Sequence, residues 1–235
     1  MASAALHQLE TLLHARKLGA TLTDGWTSRR ETSPSGIATL DTHLGGGWPC
    51  GAVSEIVGGH STGRTAVLVA SLAQATARGA VVALVDTLDR FDPVAAERAG
   101  LHLDRVLWVR GPSFTAELSR PAVLERAVHQ AVRAFDLILR AGGFAVVALD
   151  LGDIPARCIR TLPPTTWLRL AHVNEGRPTA ALLVEQAPGG RSARGLSVPL
   201  DATTIWTGDS LQSRRFAGFA INFGTPSTRT PSPVA

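Results

Sequence analysis

The chain has 235 residues, of which 45% are hydrophobic, and it carries a formal net charge of +4. This length and apolar content suit one α/β domain with short extensions, and no apolar run approaches the roughly 18 residues that a membrane-spanning helix needs. Two cysteines and an N-terminus without a secretory segment argue against a disulfide-rich secreted protein, so we expect a cytoplasmic location and no membrane contact.

Residues 1–32 are predicted to form a helix and a linker outside the core. Residues 3–18 carry one apolar stripe at helical spacing, made of Leu6, Leu9, Leu12 and Leu13. Residues 21–35 are rich in Thr, Ser and Arg and separate this helix from the core. A tethered helix of this kind either docks on a neighbouring protomer, as an oligomerisation arm, or packs back on its own domain.

A glycine-rich loop lies in the predicted core, which spans residues 33–207. Its sequence G-G-H-S-T-G-R-T matches the phosphate-binding pattern G-x-x-x-x-G-K-[ST], except that Arg64 replaces the lysine. Backbone N–H groups of such a loop and the following helix dipole attract phosphate, although a plain strand-to-helix turn is the alternative. Arginine keeps the charge but is bulkier and forked, which favours weakened chemistry over lost binding. The predicted nucleotide-binding residues are Gly58, Gly59, His60, Ser61, Thr62, Gly63, Arg64 and Thr65.

Strands and helices alternate along this core, which indicates an α/β fold with a mostly parallel sheet covered by helices on both faces. The predicted strands are short apolar runs at 53–57, 81–85, 106–109, 144–149, 180–184 and 196–200. The predicted helices are made of helix-forming residues, and they lie at 66–77, 93–99, 121–141 and 165–173. Residues 208–235 are expected to lose regularity as a C-terminal extension, with a disordered end rich in Thr, Ser and Pro.

Polar residues stand just after three of the predicted strands, where parallel sheets bind their ligands. Asp150 and Thr65 are the candidate Mg²⁺ ligands, with a strand-end cap as the alternative role for Asp150. Asp86 and Asp89 are candidate catalytic groups near an attacking water, although Asp89 also fits a solvated turn. Gln186 is the candidate nucleotide sensor, contacting the γ-phosphate and the adjoining loop, or else a plain strand-end amide.

The basic excess is confined to the last third of the chain. Residues 1–155 hold 14 Lys+Arg and 15 Asp+Glu, whereas residues 156–235 hold 9 Arg and 4 acids. Arginine grips phosphate bidentately, so the glycine-rich loop at 187–195 is a candidate contact for single-stranded DNA. The candidate DNA-binding residues are Arg191, Arg194, Arg157 and Arg160, with ordinary solvated arginines as the alternative.

The start of the core resembles that of the RecA recombinases. The matching residues are Ser35-Gly36, Leu40-Asp41, Leu44 to Gly47, Pro49, Gly51, Glu55-Ile56 and Gly58 to Thr65. Further on, Phe91-Asp92-Pro93, Asp150 and Glu185-Gln186 are similar to that family's second-strand exit, Walker B strand and sensor strand. The likeness covers roughly residues 33–207 and implies a RecA-like core with ATP and Mg²⁺ as cofactors.

The departures from this family concern its chemistry. Besides Arg64, Leu88 stands where the resemblance would place the catalytic glutamate, and both DNA-binding loops are shortened. A recombinase that forms joint molecules is therefore not expected.

Two short phrases, Gly45 to Pro49 and Leu107 to Arg110, make the chain similar to the ImuA-type proteins of the SOS mutasome. That resemblance implies an accessory role in DNA repair and translesion synthesis, beside a Y-family-like polymerase homologue and other mutasome proteins. Three hypotheses stay open: an accessory protein with weak or no ATP hydrolysis, a DNA-dependent ATPase that uses Arg64, and a nucleotide-free scaffold.

Overall fold

The computed structural model describes residues 31–113, 120–189, 195–210 and 212–228. The chain divides into two compact units, Met1–Glu31 and Thr32–Ala235, and the account below concerns the second. The helix predicted at 3–18 lies outside the described residues. Within the described ranges, every helix is too short or too polar to cross a bilayer.

Strands and helices alternate through most of the second unit, as predicted. The strands are β1 (Thr32–Ser33), β2 (Trp48–Pro49), β3 (Ala52–Val57), β4 (Val82–Asp86), β5 (Val106–Arg110), β6 (Val146–Asp150), β7 (Ala180–Glu185), β8 (Leu196–Thr207), β9 (Arg215–Phe223) and β10 (Ser227–Thr228). The helices are α1 (Ala38–Leu44), α2 (Arg64–Ala77), α3 (Pro93–Arg98), α4 (Pro121–Ala141), α5 (Ala156–Ile159) and α6 (Pro164–Asn174), with a 3₁₀ turn at Leu103–Arg105.

The main sheet runs in the order β10-β8-β3-β7-β6-β4-β5, and β9 pairs with β8 outside this path. The pairs from β8 through β5 are parallel, while β9 and β10 are antiparallel to β8. This arrangement confirms the predicted α/β fold with a mostly parallel sheet. It also brings the ends of β3, β7, β6 and β4 to one edge, because parallel strands point their carboxyl ends the same way.

Each face of the sheet is covered by its own apolar core. Alternate residues of β4 divide between the two faces, since Ala83 and Val85 pack with α4 and α6 while Val82 and Leu84 pack with α2. The largest buried side chain of α4 is Phe135, which has no exposed surface. Helices thus lie on both faces, and the sheet edge between them is left open for ligands.

The C-terminal region is more regular than the sequence predicts. The expectation that regularity ends near residue 208 was wrong, because β8 continues to Thr207 and β9 returns along it from Arg215 to Phe223. The outer half of β8 has little apolar alternation and includes an irregularity at Ile205/Trp206, so its sequence gives a weak strand signal. Pairing between the two strands, rather than local propensity, defines this hairpin.

Candidate functional site

The glycine-rich loop forms a tight turn between β3 and α2. Thr62 Oγ1 donates to the Gly59 carbonyl at 2.9 Å, and a Cβ at Gly58 would collide with the same hydroxyl. Ser61 and Gly63 have φ angles of 61° and 90°, both in the left-handed region. Glycine adopts that region readily, and the turn leaves the first N–H groups of α2 at the loop, as a phosphate cradle requires.

Strand β9 packs against this loop, which the sequence did not indicate. A Cβ built on Gly63 would lie 2.5 Å from Ile221 Cδ1. Gly63 therefore satisfies two demands, a positive φ and a close neighbour from a strand far along the chain. The contact places the C-terminal hairpin beside the loop.

Arg64 is directed toward the turn that follows β6. Its side chain is 8% exposed, and its Nη1 donates to the Gly152 carbonyl at 2.7 Å. Nη2 lies 3.8 Å from Asp153 Oδ1. A short, buried, charged hydrogen bond of this kind is among the stronger ones in proteins, so the guanidinium is held in place before any phosphate arrives.

Asp153 is the centre of a small charged cluster at the same place. Besides Arg64, His60 Nδ1 lies 3.6 Å from its Oδ1 and Arg90 Nη1 lies 4.0 Å from its Oδ2. The basic groups come from the loop, from α2 and from the segment after β4. The Asp153 carboxylate thus lies within 4.0 Å of basic side chains from three segments. Sequence reasoning missed Asp153 and Arg90, although the position of Asp153, three residues after Asp150, was an available signal.

Asp150 and Thr65 line one cavity of about 210 Å³, together with Asp86 and Leu88. The Gly152 amide donates to Asp150 Oδ1 at 2.8 Å. The pKa of Asp150 is raised from 3.8 to about 6, mainly by desolvation and also by the nearby Asp86 and Asp153 carboxylates, while the Gly152 amide and Arg64 act in the opposite direction. A divalent cation would lower that pKa again, since an adjacent positive charge favours the ionised carboxylate.

The donor set fits Mg²⁺ and a nucleotide phosphate. A hydroxyl and a carboxylate face the same cavity beside the loop, and hard oxygen donors are what Mg²⁺ binds. Arg64 fits less directly, because its guanidinium would have to leave the Gly152 carbonyl to reach a phosphate.

Asp86 is already engaged by its surroundings. It is 2% exposed and accepts hydrogen bonds from the backbone amides of Arg90 and Phe91 at 2.9 and 2.8 Å, and from Trp108 Nε1 at 3.3 Å. These bonds fix the segment that leaves β4. Leu88, two residues further on, is 4% exposed and packs in the core on the α4 side of the sheet.

Asp89 turns away from the cavity and pairs with the end of β5. Arg110 donates two hydrogen bonds to its carboxylate, from Nε to Oδ1 at 2.7 Å and from Nη2 to Oδ2 at 2.9 Å. Ser113 Oγ donates a third, to Oδ2 at 2.7 Å. Asp89 has a φ of 54°, and the Arg110 guanidinium also lies 4.6 Å from the Trp108 ring centroid. These contacts join the β4 exit to the end of β5, and the catalytic role of Asp89 near an attacking water stays a prediction.

The Asp89–Arg110 pair predicts a pH dependence of stability. Hydrogen bonds from Arg110 and then Ser113 lower the pKa of Asp89 from 3.8 to about 2. A carboxylate whose folded pKa is depressed stabilises the folded state above its unfolded pKa and loses that contribution as pH falls toward the folded value. We therefore expect Asp89→Asn to lower the urea midpoint at pH 7, with the difference from the wild type shrinking between pH 4 and pH 2. Arg110→Gln should reproduce this profile, and a difference that stays constant with pH would contradict the prediction.

The remaining predicted residues lie in different places. Gln186 directly follows β7 and is half-buried. Strand β7 lies between β3, which leads into the glycine-rich loop, and β6, which ends at Asp150. Arg157 and Arg160 are exposed on and just after α5. Arg191 and Arg194 lie outside the described residues.

Comparisons with a family model and with curated proteins point to the same family. Residues 2–151 match the model of the RecA N-terminal domain. The chain is 38% identical to Protein RecA of Methylococcus capsulatus over 118 residues, which cover 50% of this chain and 30% of that protein. It is 35% identical to Protein RecA of Colwellia psychrerythraea over 152 residues, or 63% of this chain and 39% of that protein. The matched region thus spans between 30% and 39% of the length of these two relatives.

Proposed function

The chain belongs to the RecA N-terminal domain family, and from that premise we propose that it is an accessory protein in DNA repair that hydrolyses ATP weakly or not at all. Its setting would be the SOS response and translesion synthesis in the cytoplasm. There it would act through contacts with a Y-family-like polymerase homologue and other mutasome proteins, as a homo-oligomer or alone, and through single-stranded DNA.

The observation that supports this proposal best is that the acids around the cavity already have hydrogen-bond or charged partners. Leu88 packs in the core at the position where the resemblance would place a catalytic glutamate. Asp86 accepts from two backbone amides and an indole, and Asp153 faces three basic groups. A general base must reach the proton that it removes, and neither carboxylate is available for that task without giving up these partners.

The binding function is better supported than the hydrolytic one. The N–H groups at the loop and at the start of α2 would hold the phosphates, and Thr65 and Asp150 would hold Mg²⁺. When bound, Mg·ATP supplies a γ-phosphate whose presence or loss a protein can sense. Gln186 would couple that state to the loop at 187–195, whose Arg191 and Arg194 would contact single-stranded DNA together with Arg157 and Arg160.

Steady-state turnover and thermal shift together test this function. We expect Mg·ATP to raise the melting temperature of the full chain, because a ligand that binds only the folded state stabilises it. We expect no measurable phosphate release with or without single-stranded DNA, and co-elution with the Y-family-like polymerase homologue. Turnover stimulated by DNA and abolished by Asp150→Ala would instead establish the DNA-dependent ATPase, and a melting temperature unchanged by Mg·ATP would establish the nucleotide-free scaffold.

A further inference from the structure

A basic groove runs between α4 and α6, away from the nucleotide cavity. It encloses about 470 Å³, and the arginines that line it are Arg126, Arg133 and Arg140 from α4 and Arg169 from α6. Asp136 is the one acid among the described residues that line the groove, so these residues carry a formal net charge of +3. None of these residues lines the cavity between the loop and Asp150.

The three arginines of α4 recur every seven residues and all are exposed. Seven residues correspond to nearly two turns of a helix, so these side chains lie along one side of α4 about 10 Å apart. The line of charge is therefore roughly 21 Å long. Arg157 and Arg160 are also exposed, on and just after α5, which packs against α4 as well.

Two of the four arginines contact Asp136, and the other two have no acid partner among the described residues. Arg140 Nε donates to Asp136 Oδ2 at 2.9 Å, and Arg169 Nε lies 4.0 Å from Oδ1. Asp136 Oδ1 is buried without a hydrogen bond, so this carboxylate is incompletely satisfied. Among the described residues, no ion pair within 4.0 Å joins Arg126 or Arg133 to an acid.

We propose that this groove binds the phosphate backbone of a nucleic acid. Guanidinium forks match phosphate oxygens bidentately, and a repeated line of them fits a polymer with regularly repeated charges better than a peptide with irregular carboxylates. Among the described lining residues His129 is the one aromatic side chain, and Phe, Tyr and Trp are absent, so we expect the groove to bind the backbone rather than the bases and not to select sequence. The choice of nucleic acid over an acidic peptide also rests on the proposed role in DNA repair.

The salt dependence of binding tests the groove. Binding of the full chain is followed by fluorescence anisotropy, with a labelled single-stranded DNA and with the same sequence as a duplex. Each titration gives the slope of the log binding constant against the log salt concentration. Arg126→Gln with Arg133→Gln should make the slope shallower by about 1.4 on the single strand or about 1.8 on the duplex, since two phosphate contacts are lost. Arg98→Gln with Arg214→Gln is the matched control, because both arginines are exposed outside the groove and the charge change is equal.

A gain-of-function variant separates binding from structure. Asp136→Asn releases Arg140 and Arg169, so we expect tighter binding and a steeper slope, which a merely structural role of Asp136 would not produce. Unchanged slopes in the arginine pair, or a wild type that binds neither DNA at low salt, would overturn the groove proposal. Binding of labelled polyglutamate is measured in the same way. If the Arg126 and Arg133 substitutions abolish polyglutamate binding and leave DNA binding intact, the groove binds an acidic peptide and the proposal is wrong. The proposed function is judged separately, by ATP turnover and co-elution, and we expect the groove variants to change neither.

Discussion

Phe135→Ala is expected to lower the free energy of unfolding by about 3–5 kcal/mol, the range for truncating a fully buried phenylalanine. Phe135 has no exposed surface and lies in the core between α4 and the sheet, with Val147 and Leu149 of β6 in the same cluster. The loss combines the transfer of apolar atoms to water with the cavity left beneath α4. Urea unfolding followed by circular dichroism measures it, with an unchanged m-value showing that stability alone has changed.

Leu137→Ala is the matched control on the same helix. Leu137 is 61% exposed, so its truncation should alter stability by no more than about 0.5 kcal/mol. If Phe135→Ala does not fold, Phe135→Leu keeps most of the volume and should cost about 1.5 kcal/mol or less. Equal effects of the Phe135 and Leu137 substitutions would show that α4 is not packed on the sheet as described.

Arg64→Lys is expected to tighten Mg·ATP binding by about tenfold. The guanidinium must leave the Gly152 carbonyl before it can reach a phosphate. A hydrogen bond to a charged group contributes about 1.5–3 kcal/mol. Since about 1.4 kcal/mol changes a dissociation constant tenfold, losing this bond accounts for a factor of about ten. Lysine has a single compact ammonium on a flexible stem, so it is less committed to the planar contact with Gly152 and Asp153. Isothermal titration calorimetry of both proteins with Mg·ATP gives the ratio of dissociation constants.

Arg78→Lys is the control for this experiment, because it makes the same chemical change at the other end of α2. We expect it to leave the dissociation constant unchanged. A weaker rather than tighter affinity in Arg64→Lys would show that the guanidinium itself binds phosphate in the complex. In that case Arg64 exchanges its hydrogen bond to the Gly152 carbonyl for one to phosphate, with no net loss of binding free energy.

Elements with local signals were predicted well. The helix predicted at 121–141 is α4 with the same bounds, because a proline stands at its start, two glycines follow its end and its apolar stripe is long. The helix predicted at 93–99 is α3, and Asp92 caps it with Oδ1, which accepts from the amides of Val94 and Ala95. In each case the deciding contacts lie within a few residues along the chain.

Elements defined by distant contacts were missed. Strand β9 owes its place to pairing with β8 and to Ile221 against Gly63, and neither is visible in a local pattern. Asp89 could be interpreted only as a candidate catalytic acid or a solvated turn residue, because its partner Arg110 is on β5, 21 positions away. The basic groove was missed for the same reason, since Arg169 joins the α4 arginines only when α6 packs beside α4.

The family, the α/β fold and the glycine-rich turn between β3 and α2 could be read from the amino-acid pattern alone, because glycine spacing and apolar runs act on the backbone nearby. The hydrogen bond that Arg64 makes beside this turn could not be read in that way, because it depends on the packing of distant segments. Its hydrogen-bond partner Gly152 is 88 positions away and is brought near when β6 takes its place in the sheet. A guanidinium in a low-dielectric site must find an acceptor, and the acceptor that the fold offers is a backbone carbonyl beside Asp150.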